Sequence, residues 1–407
     1  MTEVSATRPL SIFLVAAEES GDALGASLAR ALQAGEGRSL ALSGVGGHAM
    51  AAAGVHSLFA IDELSIFGLM AIPRLLPLIL RRIRETADAI IAARPDAVVI
   101  IDSPDFTHRV ARRIRRYAPS IPILDYVSPS VWAWRPGRAR AMRSFIDCVL
   151  AILPFEPEAY VKLGGPRCVY VGHPLIEHIA DLRPNGGEAE RRRADPPLVL
   201  VLPGSRASEI RRLLPLFRAT ISRVVERFGP LELVLPTIED RLEQVRAGIS
   251  DWNMKPRIVV DPADKWAAFR SARAALAASG TVTLELAIAG VPSAVAYRVS
   301  LIEELVARLA GLHRRLSTVI LANLVIGEKV IPEFLQRECT VEKLADALVP
   351  LLFDSPERSR QVEAFGRIDG LMMVESTPSA NAAALVLDVA RGAPRSRRAI
   401  ASPLTAC

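Results

Sequence analysis

The feature that most constrains the fold is a repeated alternation of short apolar runs with longer helical stretches. Ser11–Ala17 is one such run, and Ala97–Ile101 is another, reached after a helical stretch over Leu75–Ala93. Runs rich in Val, Ile and Leu without polar alternation are typical of strands that are buried on both faces. Because helices of this length separate the strands, the pattern predicts parallel βαβ units, and hence an α/β fold.

The composition changes abruptly at residues 181–197 (DLRPNGGEAERRRADPP), and the alternation restarts at Leu198–Leu202. A stretch rich in Pro, Gly and Arg is typical of a surface connection. We therefore predict two successive Rossmann-like βαβ domains facing a cleft. The predicted boundaries are 1–180 for the first domain, 181–197 for a linker, 198–370 for the second domain, 371–391 for a C-terminal helix returning to the first domain, and 392–407 for a disordered basic tail.

Composition excludes several classes of protein. Of the 407 residues, 50% are hydrophobic and 23% are charged, a balance that supports folded cores and argues against disorder. The net charge of +6 suits a phosphate-bearing substrate or an anionic membrane surface, and is too small for a dedicated nucleic-acid binder. Four scattered cysteines form neither a disulfide framework nor a zinc motif, which favours a reducing cytoplasm. No apolar window reaches the roughly 18–20 residues of a spanning helix.

Two small-residue loops in the second half of the chain are candidate phosphate sites. Each follows a predicted strand and precedes a helix, so backbone N–H groups, the helix N-terminus and an arginine could meet an anion. A glutamate in the second helix could accept hydrogen bonds from a ribose diol. Each loop alone could equally be a turn or a helix cap, but together they favour a nucleotide diphosphate. The residues assigned to the donor are Gly204, Ser205, Arg206, Ser279, Gly280, Thr281, Thr283 and Glu285.

Two carboxylates follow the strand Ala97–Ile101, at the edge of the predicted sheet where α/β sites form. A partly desolvated carboxylate there is a candidate general base for a hydroxyl, and we assign this role to Asp102. We interpret Asp105 as the N-cap of the next helix. Since no DxD pair occurs, we expect no metal ion, and we expect no other cofactor.

Residues 66–84 (IFGLMAIPRLLPLILRRIR) are densely apolar and end in arginines. Apolar positions cover most of the helical circumference, which favours membrane or acyl-chain contact over a core helix with a solvated basic end. The arginines would then meet anionic headgroups. The residues assigned to this contact are Phe67, Leu69, Met70, Leu75, Leu76, Ile79, Arg81 and Arg82.

The motifs VAAEESGD, IDSPDF, YVSPSVWAWR, ILPFE, VGHPL, LPGSR and SGTVTLELAIAGVP follow one another in this order, and the chain resembles the lipid-A-disaccharide synthases. The resemblance covers residues 11–387 and implies an inverting GT-B glycosyltransferase. Its members join UDP-2,3-diacylglucosamine to 2,3-diacylglucosamine 1-phosphate, releasing UDP and forming the β-1′,6 linkage of lipid A in Gram-negative bacteria. The resemblance further implies a cytoplasmic enzyme associated peripherally with the anionic inner-membrane surface, with a homodimer left open.

The resemblance assigns family roles to six positions. It places Asp102 as the base, and it adds donor-side residues. We count Glu18, at the end of the first strand, as a second catalytic residue and assign it to orienting the acceptor. The chain departs from the family pattern at Glu19, where Thr is expected, and at Ala322, where Pro is expected. Two alternatives stay open: another UDP-sugar enzyme of this fold, such as an epimerase or a muropeptide glycosyltransferase, and a non-catalytic peripheral membrane adaptor. The six positions at the family's cleft are Glu18, Asp102, Arg206, Glu285, Asn323 and Gln336.

Overall fold

The chain divides into two compact units. Residues up to Pro174 and from Val374 onward form the first unit, and Leu175–Met373 form the second. The structure, a computed structural model, describes residues 8–36, 40–64, 72–133, 135–299 and 318–392, without the side chains of 62, 64 and 72–75.

The first unit is built on a parallel seven-stranded sheet of order β3-β2-β1-β4-β5-β6-β7. Its strands are β1 (Leu10–Ala16), β2 (Leu40–Gly46), β3 (His56–Ala60), β4 (Ala97–Ile101), β5 (Ile123–Tyr126), β6 (Cys148–Ala151) and β7 (Arg167–Tyr170). The helices between them are α1 (Glu19–Glu36), α2 (His48–Ala52), α3 (Ile72–Ala93), α4 (Pro104–Tyr117), α5 (Gly137–Met142) and α6 (Glu156–Lys162).

Strand β4 is apolar throughout, and β1 is apolar from Ile12 onward, because helices cover both faces of the sheet. One face packs on α3 and α4, and its strand residues are Phe13, Val15, Val98 and Ile100. The other face packs on α1, and its strand residues are Ile12, Leu14, Val99 and Ile101. The helix Pro378–Ala390 near the C-terminus belongs to this second layer, where Ala383 and Val386 pack beside α1.

The second unit contains a parallel six-stranded sheet of order β10-β9-β8-β11-β12-β13. Its strands are β8 (Leu198–Leu202), β9 (Glu232–Pro236), β10 (Arg257–Val259), β11 (Ala274–Ala278), β12 (Ser293–Tyr297) and β13 (Glu333–Leu335). Its helices are α7 (Ile179–Leu182), α8 (Gly186–Arg191), α9 (Ala207–Phe228), α10 (Leu242–Gly248), α11 (Pro262–Ser271), α12 (Val282–Ile288), α13 (Leu321–Ile326), α14 (Val341–Leu348), α15 (Pro356–Gly366) and α16 (Ile368–Met372). The predicted α/β class with two Rossmann-like parallel sheets is confirmed.

Residues 181–197, for which we predicted a linker, lie inside the second unit, and the chain leaves the first unit at Pro174. The charged residues that gave this segment the composition of a linker attach it to the second unit. Glu188 pairs with Arg270 at 2.7 Å. The guanidinium of Arg192 donates to the carbonyls of α11 and of the turn after α12, including Ala289 at 2.7 Å. Residues 181–197 are therefore held against α11 and the turn after α12 by their charged side chains.

Candidate active site

Asp102 is the first residue after β4, and it stands on a strained turn. The φ angles of Asp102 and Ser103 are 52° and 44°, values that cost non-glycine residues about 1–3 kcal/mol each. The N–H of Asp102 donates to the carbonyl of Tyr126 at 3.0 Å. The hydroxyl of Thr107 donates to the carbonyls of Asp102 at 2.7 Å and of Ser103 at 3.1 Å. A strained backbone conformation that is stabilised by several hydrogen bonds is a recurrent feature of functional sites, where it orients one side chain.

The surroundings of Asp102 favour its protonated form. Burial raises the pKa of its carboxyl, the N–H of Ser103 opposes the rise by donating to the carboxylate, and the charges of Glu18 and Asp125 raise the pKa further. Glu18 is close because β1 and β4 are neighbours, with Ala16 opposite Ile101. A carboxylate with a raised pKa binds a proton more strongly than an ordinary one, which is the property required of a general base.

A buried His–Asp pair ties together the two elements that hold this turn. His108 of α4 and Asp125 of β5 are each 2% exposed, and Nε2 lies 3.0 Å from Oδ2. Burial raises the pKa of Asp125, while the hydrogen bond with His108 opposes the rise. Sequence analysis missed this pair, although a carboxylate within the apolar strand Ile123–Tyr126 was a signal for it.

Asp105 does not occupy the position that we predicted for it. The N-cap of α4 is Ser103, and the helix begins at Pro104, so the prediction of an N-cap at Asp105 is wrong. The side chain of Asp105 is 86% exposed and lies 3.5 Å from Arg138. It therefore places a negative charge in the first helical turn, where it interacts favourably with the helix dipole.

The loop after β5 is anchored by a buried acid. Nε1 of Trp132 donates to Glu156 Oε1 at 3.3 Å, and the N–H of Leu153 donates to Oε2 at 3.0 Å. Burial raises the pKa of Glu156 to about 7, although these hydrogen bonds oppose the rise. Trp132 also packs edge-on against Phe155 with the ring centroids 5.2 Å apart. Its indole therefore serves the local packing of the loop, and Trp134 lies outside the described residues.

The glycine-rich turn after β2 is filled by the protein's own carboxylate. Asp22 accepts hydrogen bonds from the N–H groups of Gly47, Ala49 and Met50 at 2.7, 2.8 and 3.0 Å. A Cβ on Gly47 would lie 2.7 Å from this carboxylate, so the turn requires glycine. Asp22 thus satisfies the N–H groups at the N-terminus of α2.

In the second unit, the loop Gly204–Arg206 joins β8 to α9. Gly204 has φ 103°, and a Cβ there would collide with the carboxylate of Glu209. The N–H of Arg206 donates to this carboxylate at 3.3 Å, and its guanidinium lies 3.4 Å from it. The side chain of Arg206 is nevertheless 81% exposed, which leaves it accessible to an anionic ligand.

The loop Ser279–Thr281 leaves the sheet beside Gly204–Arg206. Strands β8 and β11 are parallel neighbours with Leu202 opposite Ala277, so their following loops lie at one edge. Gly280 and Thr281 are exposed there. The predicted pair of phosphate-binding loops therefore shares one edge of one sheet, which is where ligands bind in open α/β sheets.

Glu285 lies one turn into α12, and its carboxylate has a partner. Oε2 lies 2.8 Å from Nζ of Lys265 on α11, and the two side chains are 14% and 31% exposed. The contact has the distance of an ion pair, although Oε2 has no aligned hydrogen bond. Sequence analysis identified Glu285 and missed Lys265, because nothing in the sequence brings α11 next to α12.

Three residues assigned to the donor have structural partners instead. Thr283 is fully buried, and its hydroxyl donates to the carbonyl of Gly280 at 2.8 Å, so it supports the turn. Asn323 is 1% exposed and uses both ends of its amide on backbone groups and a hydroxyl, so its assignment as a donor contact is not supported. Gln336 has φ 50° and accepts from the N–H of Val299 at 2.8 Å.

The two departures from the family pattern fall at different kinds of position. Glu19 is exposed and begins α1, where a negative charge favours the helix dipole. Ala322 is fully buried in α13, next to Asn323. Neither departure removes the carboxylate of Asp102 or its hydrogen bonds.

The segment assigned to membrane contact is described from Ile72 onward, where it forms α3. Leu76 and Leu80 are 43% and 40% exposed, and Arg81 and Arg84 are exposed near them. Pro77, Leu80, Arg81, Arg84 and Glu85 line an open, shallow groove. No helix among the described residues is long and apolar enough to cross a membrane.

Arg82 and Ile79 of α3 face the protein, which corrects their assignment to membrane contact. Arg82 is 14% exposed, pairs with Glu63 and Glu85, and lies 4.4 Å over the ring of Phe59. Ile79 packs against the first unit's core. Phe67, Leu69 and Met70 lie outside the described residues, as does the side chain of Leu75.

Comparison with solved structures shows the fold. A structure of S. aureus MnaA with UDP superimposes with a TM-score of 0.60 at 14% identity, covering 93% of this chain and 95% of that chain. MurG from Acinetobacter baumannii gives a TM-score of 0.56 at 17% identity, covering 93% of this chain and 100% of that chain. The predicted GT-B class is thereby confirmed.

Comparison of sequences shows the family, and it favours a synthase over the epimerases that share the fold. The family model described as lipid-A-disaccharide synthetase matches residues 12–385. A lipid-A-disaccharide synthase of Rhodopseudomonas palustris strain HaA2 is 57% identical, covering 93% of this chain and 96% of its own length. That of Rhodospirillum centenum is 42% identical, with 94% and 95% covered. The chain belongs to the lipid-A-disaccharide synthase family of glycosyltransferases.

Proposed function

We propose that this chain condenses UDP-2,3-diacylglucosamine with 2,3-diacylglucosamine 1-phosphate, forming the β-1′,6 disaccharide 1-phosphate and releasing UDP. The observation that carries the chemistry is the carboxylate of Asp102, which is held on a strained turn and surrounded by groups that raise its pKa. Family membership supplies the substrate class, since relatives that are 57% identical bear the synthase name.

In this proposal Asp102 acts as the general base. It takes the proton of the acceptor's 6-hydroxyl while that oxygen attacks C1 of the donor from the face opposite UDP, so the configuration at C1 inverts. The raised pKa matches this task, because the base must hold the proton once the new bond forms. Glu18 is the neighbouring carboxylate, two residues after the end of β1, and we assign it to orienting the acceptor.

The donor is assigned to the second unit. The diphosphate of UDP lies against the loops Gly204–Arg206 and Ser279–Thr281, which leave the same edge of the sheet. The exposed guanidinium of Arg206 offsets the charge that grows on the departing UDP. The α12 helix that follows Thr281 has seven residues, so the backbone N–H groups of the loop contribute more here than a helix dipole. The ribose lies at Glu285.

The decisive experiment is turnover by the purified chain. The two diacyl sugar substrates, with label in the acceptor, are incubated with the protein, and the lipid products are separated. A labelled disaccharide and stoichiometric UDP support the proposal. Binding of both substrates without product supports a non-catalytic adaptor instead, and conversion of UDP-N-acetylglucosamine to an epimer supports an epimerase. The matched control is Asp102→Asn, which keeps the shape of the side chain and removes the proton acceptor.

We also propose that the exposed side of α3 meets an anionic membrane surface, from which the acylated substrates enter. Support comes from Leu76 and Leu80, which are exposed one helical turn apart, and from Arg81 and Arg84, which are exposed beside them. Apolar side chains flanked by arginines have the chemistry of an interfacial contact with anionic lipid.

Vesicle sedimentation tests this contact. Leu76→Ser combined with Leu80→Ser should reduce binding to vesicles that contain anionic phospholipid, and should raise KM for long-chain substrates. A matched control replaces two exposed valines elsewhere, Val161→Ser with Val362→Ser. Equal loss in both double variants, or no loss in the first, would show that α3 is not the contact.

A further inference from the structure

Lys265 is a cation that the structure fixes in place beside the donor loops. It lies on α11, and its ammonium is 2.8 Å from Glu285 Oε2. The same ammonium lies 4.5 Å from the ring centroid of Trp266 and 5.5 Å from that of Phe269. Two aromatic faces and one carboxylate therefore hold it, and such contacts restrict a side chain that is otherwise among the most flexible.

The pairing leaves one oxygen of Glu285 available to a ligand. Oε2 faces Lys265, and within the part of the chain that the structure describes no hydrogen bond reaches Oε1. The side chain retains 14% exposure. A carboxylate held by one oxygen presents the other in a defined direction, and an oriented charged acceptor binds a diol more strongly than a freely rotating one.

We propose that Lys265 is a positioning residue for the donor nucleoside: by binding Oε2 of Glu285 it directs Oε1 to the ribose hydroxyls. This inference rests on the proposed placement of the UDP ribose at Glu285. Lys265 serves the same ligand in a second way, because its charge offsets that of a carboxylate that would otherwise repel the nearby diphosphate.

The test compares UDP with 2′,3′-dideoxy-UDP by isothermal titration calorimetry of the full-length protein. A hydrogen bond to a charged acceptor typically contributes about 10-fold or more to affinity, so the parent should prefer UDP by at least that factor. Lys265→Met keeps the aliphatic stem and should reduce the preference to about 3-fold or less. Lys265→Arg, which keeps a cation, should retain most of it. A change in charge repulsion or in overall folding changes the affinities for UDP and 2′,3′-dideoxy-UDP by the same factor. The ratio of the two affinities therefore reports the orientation of Glu285.

Two further variants separate the outcomes. Lys255→Met removes an exposed lysine elsewhere in the second unit and should leave the preference unchanged. Glu285→Gln removes the charged acceptor and should lower the preference in the presence of Lys265. If Glu285→Gln lowers it and Lys265→Met does not, the inference about Lys265 is wrong while the ribose placement stands. If Glu285→Gln keeps the full preference, the ribose placement fails and the inference fails with it.

Discussion

Replacing Glu156 by Gln removes an ionisable group from the buried anchor of the Trp132 loop while keeping its shape. The pKa of Glu156 is raised to about 7 by burial, so the folded protein keeps its proton at pH values where the unfolded chain has lost it. A carboxyl whose folded pKa is raised contributes stability below its unfolded pKa and loses it as pH rises through the folded pKa. The first unit should therefore lose stability from this group between pH 4.5 and 7.

The magnitude follows from the difference between the two pKa values. The ordinary value is 4.5 and the folded value is about 7, and each pKa unit corresponds to about 1.4 kcal/mol. The parent should lose about 3 kcal/mol of unfolding free energy across this window through Glu156 alone. Glu156→Gln does not titrate, so its stability relative to the parent should rise by that amount between pH 4.5 and 7.

Hydrogen exchange of the amides of β6 measures this difference, because amides in a buried strand that is paired on both sides exchange mainly when the unit unfolds. Parent and variant are compared at the same pH, which cancels the intrinsic exchange rate. The ratio of parent to variant rates should rise about 80-fold from pH 4.5 to 7.

His173 provides a control of opposite sign. Burial lowers its pKa to about 4, so its contribution is present above its unfolded pKa of about 6.5 and is lost as pH falls towards 4. The same ratio for His173→Gln should therefore change in the other direction between pH 6.5 and 4. A parent-to-Glu156→Gln ratio that stays constant from pH 4.5 to 7 would show that Glu156 is ionised in the fold, and would refute the reasoning.

Three further outcomes are expected. Asp102→Asn should lower kcat by about 10²–10⁴-fold with UDP affinity near that of the parent, whereas Asp105→Asn should cost far less; steady-state kinetics and calorimetry decide, and the reverse ranking would contradict the assignment of the base. Arg206→Ala should lower kcat by about 10²–10³-fold without lowering the melting temperature, since its side chain is mostly exposed. Asn323→Ala should destabilise the second unit by about 2–4 kcal/mol in urea unfolding, because it leaves buried backbone groups unpaired; an unchanged midpoint would show that water replaces the amide.

The sequence predicted the fold class because its strongest pattern, the continuous apolar runs, indicates strands that are buried on both faces. Strands such as Ala97–Ile101 and Leu198–Leu202 are apolar on both faces, and this pattern has few explanations other than a covered parallel sheet. Strand β2 carries a weaker signal, because Gly44 and Gly46 interrupt its apolar run. Residues 181–197 were predicted to be a linker because of their charged composition. Composition does not show whether the arginines of such a run are solvated or donate to backbone carbonyls, as Arg192 does.

The sequence by itself determined where the candidate catalytic and phosphate-binding groups lie, because they follow strands and a parallel sheet brings the carboxyl ends of its strands to one edge. Asp102, Arg206 and the Ser279–Thr281 loop were identified in this way. Only the tertiary structure decided which polar groups are already satisfied and which remain accessible to a ligand. The partners of Asn323, the pairing of Lys265 with Glu285 and the burial of Glu156 depend on contacts between distant segments. Local sequence carries propensity and periodicity, whereas hydrogen-bond partners and desolvation are set by which segments the packed fold brings together.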